Sequence, residues 1–137
     1  MPLETMIKSG VRGAPDVSAI AALESKRLSL LVWHYHDDDV EGPAADVDLA
    51  VDGLPDVPAG ATVQHYRIDD DHSNAFTVWK QMGSPQKPSA DQYAKLEAAG
   101  QLAQIETPSA VKFEKGHWST RIQLPRRAVS LVVVSWK

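Results

Sequence analysis

The chain has 137 residues, a net charge of −4 and no cysteine. This length suits one domain with its own hydrophobic core, which needs neither a disulfide nor a structural metal to fold. No apolar stretch approaches the roughly 20 residues of a membrane-spanning helix. The start Met1-Pro2-Leu3-Glu4 lacks the basic and then apolar layout of a signal peptide, so the sequence favours a cytoplasmic location.

The charges are unevenly distributed along the chain. Of the 18 acidic residues, 11 fall at positions 37–71, where Arg67 is the only basic residue. From position 107 onward the balance reverses, with six Lys and Arg against Glu114 alone. Phosphate binding needs clustered Lys and Arg, so we expect no nucleic-acid partner. We favour a solvated acidic face over a docking surface or a cation site.

The first half of the chain reads as strands. Residues 1–15 contain Gly10, Gly13 and Pro15 and are typical of a tail or linker. Two apolar runs, at 17–23 and 28–35, flank a polar turn and predict a hairpin.

Two further strands precede the middle of the chain. Residues 46–52 alternate acidic and aliphatic side chains, which predicts a strand with Val47, Leu49 and Val51 on its buried face. After a loop rich in Gly and Pro, residues 61–68 resume a strand.

A helical insertion is predicted at about residues 74–100. A short helix around Phe76 and Trp79 stops at Gly83. A second helix at 90–99 begins with a capping box formed by Ser89 and Gln92. We expect Tyr93 and Leu96 to form its apolar face, and Gly100 to end it in the left-handed conformation.

The remaining residues predict three strands, at 110–114, 117–124 and 128–136. The last is so rich in β-branched residues that we expect a central strand buried on both faces. The predicted fold class is therefore mainly β, an antiparallel β-sandwich over residues 16–137 with a short helical insertion between strands.

The candidate functional residues cluster around that insertion. They are His65, Tyr66, Asp69, His72, Ser73, Asn74, Phe76 and Trp79. If residues 69–75 are extended, they reach roughly 23 Å and carry the aromatic pair beyond the sandwich edge. The pair then either packs the insertion onto the sandwich or presents it to a neighbour.

Two segments stand out by their His, Asp and aromatic content. They are VWHYHDDDVEGP at 32–43 and HYRIDDDHSNAFTVWKQMGSPQKP at 65–88. Both resemble the C-terminal β-sandwich of family 39 glycoside hydrolases, the β-xylosidases and their relatives the α-L-iduronidases, and the likeness runs from about residue 11 to about residue 134. The resemblance implies the same sandwich fold, packed beside a catalytic barrel that carries retaining chemistry on xylosides.

A metal site is the first chemical alternative. His34 and His36 project from one strand face and Asp37 and Asp39 follow, a ligand set that suits zinc, nickel or iron. A second acidic loop at 69–71 offers oxygen ligands for Ca²⁺. We favour acids that cap backbone amides in turns, and we expect no metal and no cofactor.

Catalysis by the chain itself finds little support. A glycosidase needs two carboxylates across the scissile bond, and no acidic residue lies in a setting that suggests a raised pKa. In the resembled family the acid/base Glu belongs to an Asn-Glu-Pro motif and the nucleophile Glu to the barrel, and neither segment occurs here. Ser73 beside His72 lacks a nucleophile-elbow context.

The four tryptophans offer a second alternative, a sugar-stacking platform. Trp33, Trp118 and Trp136 lie within strand patterns and are predicted to be core. The resemblance implies a non-catalytic accessory domain whose partners are a catalytic barrel and a xylose-containing saccharide, and we expect no nucleic-acid or membrane partner. A free-standing carbohydrate-binding module and a small metal-dependent enzyme are the alternatives.

Overall fold

A computed structural model describes residues 16–36 and 40–137. The predicted tail at 1–15 and the candidate ligands Asp37 and Asp39 lie outside these residues. The elements in chain order are β1 (Val17–Glu24), β2 (Arg27–His34), β3 (Ala45–Val51), β4 (Ala61–Ile68), α1 (Ala75–Gln81), α2 (Ala90–Ala99), β5 (Ala103–Gln104), β6 (Ser109–Val111), β7 (Trp118–Leu124) and β8 (Val129–Ser135).

Six strands form one antiparallel sheet in the order β1-β2-β8-β4-β5, with β6 also paired to β4. The predicted central position of β8 is confirmed. Its predicted burial on both faces is wrong, because Ser130, Val132 and Val134 are buried while the alternate residues are half-exposed. One face of this strand meets the core, and the other is the outer surface of the sheet.

The strands β3 and β7 form a second, two-stranded sheet. As the alternation predicted, Leu49 is buried and Asp46 and Asp48 are exposed. Residues of both sheets meet in one core, which comprises Leu28, Leu30, Val32, Leu49, Leu54, Ala61, Trp118, Ile122, Leu124, Ala128, Val132 and Val134. The predicted class, mainly β with antiparallel sheets and a helical insertion, is confirmed.

The predicted hairpin is confirmed as β1 and β2, with the turn at Ser25 and Lys26. Its first strand is less buried than its apolar sequence suggested, because Ile20 and Leu23 are each 62% exposed. This strand is the edge of the six-stranded sheet, and it has a neighbouring strand on one side only.

The insertion contains both predicted helices. The capping box is present, since the Gln92 amide donates to Ser89 Oγ at 3.2 Å and the Ser89 amide donates to Gln92 Oε1 at 2.9 Å. The predicted left-handed stop is wrong, because Gly100 has φ −81° and ψ −7°, a right-handed conformation that continues the last turn.

The helices lie off the core. Neither buries a residue fully, and Tyr93, predicted on an apolar face, is 64% exposed. Leu96 is half-buried, so the expected apolar face is only partly covered. Within the described residues, neither helix is long and apolar enough to cross a membrane.

Candidate interaction site on the helical insertion

The loop from Asp69 to Asn74 is held by its first side chain. Asp69 Oδ1 accepts hydrogen bonds from the amides of Asp71 and His72, both at 2.8 Å. His72 Nδ1 lies 2.8 Å from the same oxygen. This carboxylate therefore caps backbone amides, as we preferred over a role as a metal ligand.

The next two residues fasten the loop to the sheet and to α1. Ser73 has φ 55° and donates from Oγ to the Arg67 carbonyl, while the same oxygen accepts from the Ala103 amide, both at 2.7 Å. Asn74 donates to the Asp69 carbonyl and accepts the Thr77 amide as the N-cap of α1. The extended reach considered for residues 69–75 is wrong, because these bonds fold the loop back against the end of β4.

The two aromatic residues at the start of the insertion, Phe76 and Trp79, have different environments. Phe76 is 60% exposed, and its ring stacks on that of Trp79 with centroids 5.6 Å apart and planes at 22°. Lys80 Nζ lies 4.7 Å from the centre of the Phe76 ring. Trp79 is half-buried and donates from Nε1 to the Pro85 carbonyl at 3.0 Å. Trp79 thus braces the insertion, and Phe76 presents its ring to the surface.

A groove of about 690 Å³ lies beside Phe76. Its lining combines this aromatic ring with charged residues of both signs, Glu41, Asp70, Lys80 and Arg127. The Arg127 guanidinium lies 3.9 Å from carboxylate oxygens of Glu41 and Asp70, and so links the insertion loop to the turn between β7 and β8. The groove offers one apolar face and several hydrogen-bonding groups, which suits a peptide surface or a polar ligand.

Two predicted site residues on β4 point to opposite faces. Tyr66 is half-buried on the outer side of the sheet, whereas His65 is 4% exposed and lies in the interior. His65 Nε2 is 2.8 Å from Ser130 Oγ, and Nδ1 is 3.4 Å from Glu106 Oε1. His65 is therefore separate from the surface residues with which the sequence grouped it.

The interior network around His65 was not predicted. Arg67 donates from Nε to Ser130 Oγ at 3.1 Å and from a terminal nitrogen to the Gln123 carbonyl at 2.9 Å. Burial lowers the pKa of His65 and the charge of Arg67 lowers it further, while Glu106 opposes the change. A serine inside the apolar run of β8 was the one sequence signal for this network.

The two histidines of the metal hypothesis come together in the interior. His34 and His36 are buried, and their Nε2 atoms are 3.1 Å apart. His36 Nε2 also lies 3.1 Å from Asp16 Oδ2, and His34 Nδ1 lies 3.2 Å from the Leu124 carbonyl, to which it donates. Across residues 16–36 and 40–137, no group of three or more His, Asp or Glu side chains is arranged to hold a metal ion.

The tryptophans predicted to be core divide into two groups. Trp118 is buried, and Trp136 packs edge-on against Phe113 with ring centroids 5.6 Å apart. The prediction fails for Trp33, which is half-buried and paired with Val129 and Ser18 on the outer side of the large sheet. Its strand has a second apolar face, so an apolar strand pattern did not identify the core-facing side.

The fold and this surface define an antiparallel β domain that carries an exposed aromatic residue and a groove on a helical hairpin inserted after its fourth strand. The family model described as glycosyl hydrolases family 39 matches residues 11–117. The chain belongs to this family. A comparison with curated proteins found no match.

Several solved structures share the fold. A family 39 enzyme from Xanthomonas axonopodis pv. citri has a TM-score of 0.74 at 17% identity over 88% of this chain and 26% of its own. A bacterial orthologue of human α-L-iduronidase has a TM-score of 0.74 at 20% identity over 96% of this chain and 23% of its own. A monomeric β-xylosidase from Caulobacter crescentus has a TM-score of 0.62 at 23% identity over 88% and 26%. This chain therefore spans about a quarter of the length of each.

Proposed function

We propose that this chain is a non-catalytic accessory domain of a β-xylosidase-like glycoside hydrolase, and that it packs against and supports a catalytic barrel. Two findings support the proposal. The chain belongs to family 39, and it aligns with only a quarter of the length of structures from that family. The helical insertion, with Phe76 and the adjoining groove, is the proposed contact.

The observation that carries the proposal is the exposed ring of Phe76, which its neighbours hold in one position. It is 60% exposed, yet Trp79 stacks on one side and Lys80 lies close to the ring. A side chain already fixed in one position loses little conformational entropy on binding. Rigid aromatic residues with a charged rim are typical of the anchors that dominate protein interfaces.

The test is a binding measurement with a matched control. We expect this chain to bind the catalytic barrel of a family 39 β-xylosidase that is expressed without its own β-sandwich, as measured by titration calorimetry. Phe76→Ala should weaken binding by about 2 kcal/mol or more, roughly 30-fold, since it removes an interface anchor. The midpoint of unfolding should change little, because the ring is exposed.

The control is Tyr93→Ala, which removes an equally exposed aromatic ring from the other helix, outside the groove. It should leave the affinity for the barrel unchanged. Equal losses for both variants would show that neither ring is a specific anchor, and intact binding by Phe76→Ala would remove the insertion from the interface.

The groove also gives a reason to keep the carbohydrate-binding alternative. An aromatic ring beside Asn74, Asp70 and Arg127 combines a stacking face with hydrogen-bonding groups, as small-ligand sites do. Xylo-oligosaccharides titrated into the isolated chain distinguish the two functions. Saturable binding that Phe76→Ala abolishes would favour a carbohydrate-binding module, whereas no saturable binding is expected of a barrel contact. The metal-dependent enzyme stays an alternative, because its candidate ligands Asp37 and Asp39 lie outside the described residues.

A further inference from the structure

The two sheets differ in the chemistry of their outer faces. On the two-stranded sheet, Asp46, Asp48 and Arg121 point outward, and Arg121 Nε donates to Asp48 Oδ1 at 2.7 Å. The hydrogen bond from Arg121 lowers the pKa of Asp48. Charged side chains of this kind are typical of a sheet face that is in contact with water.

The middle of the outer face of the six-stranded sheet is mostly apolar instead. Strand register places Ile20 opposite Leu31, Leu31 opposite Leu131, and Leu131 opposite Tyr66. Because side chains alternate between faces, these four residues form one row across β1, β2, β8 and β4 on the side away from the core.

The rows on either side continue the pattern. The row on one side consists of Trp33, Val129 and Ile68 on neighbouring strands. The row on the other side consists of Val133 with the uncharged polar residues Ser29 and Gln64 next to it. Among the described residues these three rows hold no charged side chain. We call them the outer apolar face. Charged pairs border the face at both ends, Glu24 with Arg27 beyond the Ser29 row and Asp70 with Arg127 beyond Ile68 and Val129.

Three large apolar residues of this face are exposed in the part of the chain that the structure describes. Ile20 is 62%, Ile68 46% and Leu31 38% exposed. At about 4.8 Å between strands and about 6.7 Å between rows, four strands and three rows cover roughly 400 Å². A patch of that size with few polar side chains is often functional on a folded domain, and the edge strand β1 beside it carries a single charge, Glu24, at its end.

We infer that the outer apolar face docks against the catalytic barrel and forms one interface together with the insertion. This inference rests on the proposed function. The face and the insertion are continuous, because exposed Ile68 ends β4 and Asp69 begins the loop that leads to α1. A standard interface buries about 800 Å² per partner, so the face supplies about half of that area and the insertion supplies more.

The length of the related chains favours the barrel as the occupant. About three quarters of each related family 39 chain lies outside the part that matches this domain. A covalently linked neighbour has a high effective concentration and therefore outcompetes a second copy of the domain for the same surface. The partner surface is expected to be apolar and uncharged, since an unpaired charge placed against this face would be desolvated without compensation.

The test places one charge on each outer face. Ile20→Lys and Leu31→Lys alter two exposed, cross-strand neighbours on the outer apolar face. Ala50→Lys alters an exposed residue on the outer face of the two-stranded sheet and serves as the control. We expect each of the first two to weaken binding of a separately expressed family 39 β-xylosidase barrel at least tenfold, and Ala50→Lys to change it less than twofold. Circular dichroism checks that every variant keeps its unfolding midpoint.

Three other outcomes would overturn the inference, and each is distinguishable. If the lysine variants bind like wild type while Phe76→Ala does not, the proposed function stands and the outer apolar face is not part of the interface. If the wild-type chain does not bind the barrel at all, the proposed function fails with it. If the wild-type chain sediments as a dimer that Ile20→Lys dissociates, and the barrel does not compete, a second copy occupies this face.

Discussion

At the scale of single residues, Ser130 connects two basic side chains inside the domain. Its Oγ accepts the Nε proton of Arg67 at 3.1 Å and lies 2.8 Å from His65 Nε2. If the neutral His65 carries its proton on Nδ1, that atom donates to Glu106, and Nε2 accepts the proton of the Ser130 hydroxyl. Each polar group of this hydrogen-bonded network then has a partner. A neutral His65 satisfies this arrangement, which agrees with the lowered pKa that burial and Arg67 give it.

The lowered pKa of His65 predicts how stability depends on pH. Burial is the main cause and Arg67 the second, so protonation near the unfolded pKa of about 6.5 favours the unfolded chain. Stability should be fully present above that pH, and it should be lost as the pH falls from about 6.5 through the folded pKa of His65. Urea unfolding of the wild-type chain at pH 7.5 and pH 5.5 measures this loss.

Two variants isolate the contribution of His65. His65→Gln keeps a hydrogen-bonding side chain but cannot titrate, so its unfolding free energy should vary less between the two pH values. His117→Gln removes an exposed histidine paired with Asp52, and any change that it causes is the surface baseline against which His65→Gln is compared. If His65→Gln and wild type lose the same stability, protonation of this histidine does not control the acid response.

At the scale of elements, Trp79 contributes to the stability of the insertion. Its stack on Phe76 and its hydrogen bond to the Pro85 carbonyl are the contacts that brace α1. Trp79→Ala should destabilise the insertion by about 2 kcal/mol, less than a fully buried aromatic would cost. Trp79→Phe keeps an aromatic ring but removes the indole N–H and part of the stacking surface, and it should lose less, about 1 kcal/mol.

Hydrogen exchange locates that loss within the molecule. Amides of α1 and α2 should exchange faster in Trp79→Ala, and those of the central strand β8 should not, because neither helix buries a residue in the core. Equal acceleration in β8 would mean that the insertion and the sheets unfold as one unit.

Local sequence signals predicted some elements of this fold and not others. Strand β3 was predictable because acids and aliphatics alternate with a period of two, and α2 because Ser89 and Gln92 form a capping box. Both signals are local. The open outer face of β8 was not predictable, because a run of Val and Leu looks the same whether one face or both are covered.

At the scale of the whole molecule, the candidate site depends on contacts between distant segments. The loop that Asp69 caps is encoded within a few residues, and the sequence identified it. The groove also needs Glu41 and Arg127, which approach Asp70 only in the folded domain. The same holds for Ser130, whose partners on β4 are 63 and 65 residues away. Strand order determines these pairings, and no local pattern encodes it.

The most direct test of a supporting role is the melting temperature of a family 39 β-xylosidase barrel in the presence of increasing concentrations of this chain. If this chain binds the folded barrel and not the unfolded one, it stabilises the barrel by about 2.7 kcal/mol when the chain concentration is about a hundred times the Kd. We predict that the barrel's melting temperature rises in proportion to the logarithm of the concentration of the wild-type chain. Phe76→Ala should raise it only at higher concentrations. The chain alone should not hydrolyse aryl β-xylosides. An unchanged melting temperature at every concentration, or hydrolysis by the purified chain itself, would contradict the account.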